Sequence, residues 1–92
     1  MTTLSSLIMD EQHAAKDLER TRDNIAYFQE RYMTIRSIPG DSLAKEQEIK
    51  DCEDTIKLLK EYAVKELATL NQRRHALADY IDNLRTDISY PV

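Results

Sequence analysis

Pro39 and Gly40 stand side by side in a chain whose only other proline is Pro91 and which has no other glycine. Proline fixes φ and lacks an N–H, and glycine takes positive φ without a Cβ penalty, so the pair marks a tight reversal. Helical pattern runs through residues 4–36 on one side and 42–88 on the other, with only Ser37-Ile38-Pro39-Gly40-Asp41 between them. The expected fold is all-α: a two-helix antiparallel coiled-coil hairpin with a longer second helix, in one domain over 1–92, with residues 89–92 as a short tail. Asp41 or Ser42 is placed to cap the second helix by accepting a backbone N–H.

Positions 4, 7, 11, 14, 18, 21, 25, 28, 32 and 35 step by three and four, the spacing that keeps one face toward a partner helix. They hold Leu4, Leu7, Glu11, Ala14, Leu18, Thr21, Ile25, Phe28, Tyr32 and Ile35, so only Glu11 and Thr21 interrupt the seam. Polar residues at such places fix register more often than they carry chemistry. The second seam reads Ile49, Cys52, Ile56, Leu59, Ala63, Leu67, Leu70, Arg74, Leu77, Ile81, Leu84 and Ile88. Its two steps of four around Ala63 are a stutter, and Leu58, Tyr62 and Val64 widen the apolar surface there.

A reversal centred on Pro39 sets residue i opposite 78 − i, which puts Leu18 near Leu59, Ala14 beside Ala63 and Leu7 by Leu70. The second run is then about fourteen residues too long for the first to cover, roughly 20 Å of helix at 1.5 Å per residue. This overhang begins beyond Arg74 and carries Leu77, Tyr80, Ile81, Leu84 and Ile88. Large apolar side chains left in water forgo ~1.5–3 kcal/mol each, so a partner is expected to cover them. Dimerisation into a four-helix assembly is the simplest way to supply it.

Composition narrows the function. A charged fraction of 33%, a single glycine and no tryptophan suit long amphipathic helices. A net charge of −4 disfavours direct binding to a phosphate backbone, which needs clustered Lys and Arg. No apolar run approaches the ~20 residues of a bilayer span, and the opening stretch Met1 to Met9 lacks the basic leader and apolar block of a signal peptide. A cytoplasmic location is expected, with no membrane association.

The chemistry-bearing residues are sparse. Asp10 and His13 share a helix face, but the further Glu-x-x-His repeats of a helical di-metal site are missing, so no metal or other cofactor is expected. Cys52 is the single cysteine and lies on the second seam, where a thiol serves as a small apolar filler. Glu46→Lys50, Glu53→Lys57 and Glu61→Lys65 are i, i+4 pairs in the favourable order. Neither a phosphate-binding loop nor a zinc spacing occurs, and no catalytic residue is assigned.

The expected role is that of a non-enzymatic protein–protein interaction module: a small oligomeric helical adaptor, assembly factor or regulator. Its partners would be itself, as a homodimer, and another protein that meets the apolar face of the overhang. The alternative is a small acidic inhibitor of the phage type, whose carboxylates Glu46, Glu48, Asp51, Glu53, Asp54, Asp79, Asp82 and Asp87 would occupy the nucleic-acid groove of a DNA- or RNA-processing enzyme. Lys45, Lys50, Lys57 and Lys60 interleave with those acids and favour the plainer reading of a solvated helix face.

Overall fold

Helix formation starts in the same way twice. A computed structural model of the chain describes residues 2–89, and the side chains through residue 86. In α1, Leu4–Ser37, the side chain of Thr3 accepts a hydrogen bond from the Ser6 N–H at 3.1 Å. In α2, Leu43–Ser89, the Ser42 hydroxyl accepts from the Lys45 N–H at 3.0 Å. Each cap satisfies one of the donors that the first helical turn leaves without a partner. Of the two capping residues open in the sequence, Ser42 takes the role. Among the described residues there is no strand.

The reversal between the helices uses Gly40 at φ +89, the left-handed region that disfavours other residues. α1 stops as Ile38 turns to an extended conformation and its N–H donates to the Ile35 carbonyl at 3.2 Å. One contact was not foreseen from the sequence. The ammonium of Lys45 reaches back from the first turn of α2 and donates to the Ile38 carbonyl and, at 2.8 Å, to the Gly40 carbonyl. A charged donor on two linker carbonyls, one on either side of Pro39, ties the loop to the helix that follows it.

The helices pack antiparallel, and three polar contacts show how far each residue of α1 is from the turn. Near the loop, Arg31 pairs with Glu48 at 3.1 Å. Halfway along, the Thr21 hydroxyl donates to Glu66. Farther still, Arg74 pairs with Glu11 at 3.2 Å. The 78 − i register would set Thr21 opposite 57 and Glu11 opposite 67, so both partners lie seven to nine residues farther along α2. In the core, Leu70 joins Ala14 and Leu18, a shift in the same direction, while Ala63 packs against that cluster together with Ala15, as the expected pairing of Ala14 with Ala63 has it. Leu70 therefore meets Ala14, one heptad away from Leu7. Part of the shift comes from the linker, since Ser37 and Leu43 flank residue 40, not 39. The rest is the diagonal reach of long side chains across the groove.

Burial is slight. Among the described residues only Ala14, Leu18, Cys52 and Leu70 are buried, whereas thirteen large apolar or aromatic side chains are exposed. The chain is a rod of 79 × 16 × 16 Å with a radius of gyration of 21.2 Å. A compact chain of this length would have a radius near ~12 Å. The accessible surface, 7457 Å², likewise exceeds the ~5,500 Å² of a compact monomer of 10.7 kDa by about 2,000 Å². That surplus is the physical fact with most bearing on function.

Candidate functional site

Two surfaces compete for attention, and the first is the far end of α2. Past the Glu11–Arg74 pair, Leu77 and Tyr80 are half-buried, while Ile81 and Leu84 are each 39% exposed. Ile88 continues the helix, but its side chain lies outside the described residues. Beyond Arg74 the exposed large apolar side chains among the described residues are Ile81 and Leu84.

The second surface takes in Val64, one of the residues that widen the α2 stripe in the sequence, but its groove beside Tyr32 was not singled out there. An open groove of ≈ 610 Å³ runs along the α1–α2 junction, with Gln29 and Tyr32 on one wall and Glu53, Ile56, Lys57, Lys60, Glu61 and Val64 on the other. Ile56, Lys60 and Val64 fall on one side of α2 because they are spaced by four. Leu58 and Tyr62 project from another side, about 120–160° around the helix from Ile56 and Val64. The stutter thus splits the widened stripe into two flanks, both exposed, with Val64 at 70%. Tyr32 is held in place from its own helix: Arg36 donates to its hydroxyl at 2.8 Å and stands 5.5 Å from the ring centre. A wall fixed in this way costs little ordering when something packs on it.

The remaining residues of interest serve the fold. Cys52 is a free thiol, only 3% exposed, buried on the α2 seam where the sequence spacing sets it. His13 and His75 are exposed, and among the described residues no group of His, Cys, Asp and Glu side chains is placed to hold a metal ion. Glu48, through its hydrogen bond and its charge, raises the already high pKa of the Arg31 guanidinium, with a smaller contribution from Tyr27. Both side chains of that pair are about half exposed. Glu11 and Thr21, the two breaks in the first seam, each bond across to α2. Among the described residues no helix is long and apolar enough to cross a membrane. No family model, curated protein or solved structure matches this chain at a significant level.

Proposed function

We propose that the chain is a non-enzymatic interaction protein that self-associates, as a homodimer of hairpins with four helices, and presents an apolar helix face to a protein partner. The observation that carries this reading is the surplus of exposed surface: among the described residues, four buried side chains against thirteen exposed large ones. About 2,000 Å² beyond the surface of a compact monomer leaves ample room for a standard interface, which takes ~800 Å² from each partner. The docking face for another protein is the far end of α2, with Ile81 and Leu84 as contact residues and Leu77 and Tyr80 beside them. Aromatic and aliphatic side chains together are what interface centres favour.

Light scattering of the parent chain beside the double variant Leu77→Asp, Ile81→Asp tests the proposal. The parent should have twice the chain mass. The variant should lose either that mass or its binding to the protein partner, while circular dichroism shows most of the helix retained. A parent that stays monomeric at high concentration, together with a variant that binds as the parent does, overturns the reading. Inhibition through an acidic face receives less support, because Glu48 is paired with Arg31 and Asp51 accepts from Gln47 at 2.9 Å. Binding of that kind would weaken steeply with salt, since exposed charges are screened over ~8–10 Å.

A further inference from the structure

The groove at Tyr32, Ile56 and Val64 is rimmed by charges whose order along α2 restricts what can lie in it. Glu53, Lys57, Glu61 and Lys65 form an unbroken row of i, i+4 steps with alternating sign. Such a row is a helix ridge of the kind that packs alongside the ridge of another helix. Read backwards, the order becomes base, acid, base, acid, which is the complement of the row itself. Two copies of α2 laid antiparallel about a twofold axis near residue 59 set Glu53 against the partner's Lys65 and Lys57 against the partner's Glu61. The symmetry repeats both pairs, giving four opposite-charge contacts, whereas a parallel in-register pairing sets every charge against its own kind.

A second observation agrees. Among the described residues the ion pairs are Arg31 with Glu48 and Arg74 with Glu11, so the row makes none within the chain despite its favourable spacing. Beside it exposed Val64, half-buried Ile56 and the stems of Lys57 and Lys60 supply an apolar floor. Resting on the self-association proposed above, the geometry points to a second copy of this chain as the occupant of the groove, antiparallel along α2, with the Glu53-Lys57-Glu61-Lys65 ridge as its register. The far end of α2 then stays outside the dimer seam and is open to a different protein.

Charge exchange between copies tests the arrangement. Lys57→Glu sets acid against the partner's Glu61 twice, and Glu61→Lys sets base against the partner's Lys57 twice. Each variant alone should dimerise about tenfold or more weakly than the parent in sedimentation equilibrium, since two contacts change sign in each. Mixed in equal amounts, the two variants should form a heterodimer with all four contacts favourable. The double variant Lys57→Glu, Glu61→Lys should recover the parent's self-association, which separates the loss from any weakening of the helix. Helicity is followed in parallel by circular dichroism. If the parent dimerises and the single variants dimerise equally well, the groove is not the seam, although self-association stands. If mixing and the double exchange both fail to restore the dimer, the antiparallel register is wrong. A parent that is monomeric at every concentration overturns both this inference and the self-association on which it rests.

Discussion

Leu70→Ala is the substitution that asks most of the two-helix core. Leu70 is 4% exposed and clusters with Ala14 and Leu18, so truncation removes the buried leucine that α2 contributes to that cluster. Buried Leu→Ala changes cost ~2–5 kcal/mol, made of a transfer part and a part for the cavity left behind. Removing three carbons' worth of buried side chain accounts for about 2 kcal/mol through the lost transfer. The cavity part should be small, because a seam only two helices wide lets water or a neighbouring side chain fill the gap. The expected loss is therefore about 2–3 kcal/mol, near the low end of the range. Leu43→Ala is the matched control: the same chemistry at a side chain 82% exposed should change stability by no more than ~0.5 kcal/mol. Urea unfolding followed by far-ultraviolet circular dichroism measures both, at one fixed chain concentration so that any assembly contributes equally. A loss under ~1 kcal/mol for Leu70→Ala, or equal losses for the two variants, would refute the placement of Leu70 at the centre of the helix contact.

Two further substitutions probe the loop and the register. Gly40→Ala meets no heavy atom within 4 Å, so its expected cost of about 1 kcal/mol is purely that of the left-handed backbone, and Gly40→Asn should cost less; an unchanged melting temperature for the alanine variant would show that the turn does not need positive φ. A double-mutant cycle on Glu11 and Arg74 should give a coupling of about 0.5 kcal/mol or less, because Arg74 is well exposed, and the coupling should fade in high salt. A coupling that persists undiminished in 1 M salt would mean the pair is not the solvated contact described.

The helix boundaries and the loop were legible because the signals are local. Pro39 and Gly40 leave one way for the chain to turn, and the predicted 4–36 and 42–88 differ from Leu4–Ser37 and Leu43–Ser89 by one residue at each altered end. Register was not legible in the same way. Sliding one helix by seven residues along a 3.5-residue repeat returns every seam residue to the seam, so spacing alone does not distinguish Leu70 against Leu7 from Leu70 against Ala14. The signal that breaks the degeneracy was present: Glu11 and Arg74 are the charged positions on opposite seams, and a register that leaves them unpartnered strands two charges in an apolar contact. The groove was harder to see. It depends on which side of the seam Tyr32 and Val64 fall after the stutter, and a half-turn difference there comes from the supercoil, not from the residue types. Lys45 belongs to the same class, since its two carbonyl partners depend on the path of the loop.

The antiparallel pairing also fixes how the molecule answers a mechanical load. Thr3 and Ser89 lie toward the same end of the rod, remote from Gly40, so tension applied through them peels the helices apart and does not slide one past the other. The Glu11–Arg74 contact bears the load first, then the Leu70 cluster, then Thr21 with Glu66, and the loop tied by Lys45 last. Resistance at any moment is one small patch of seam, never the whole of it. A second copy laid along α2 across residues 53–65 would sit in the middle of that path as a clamp, and the rod would yield in two stages separated by the loss of its partner.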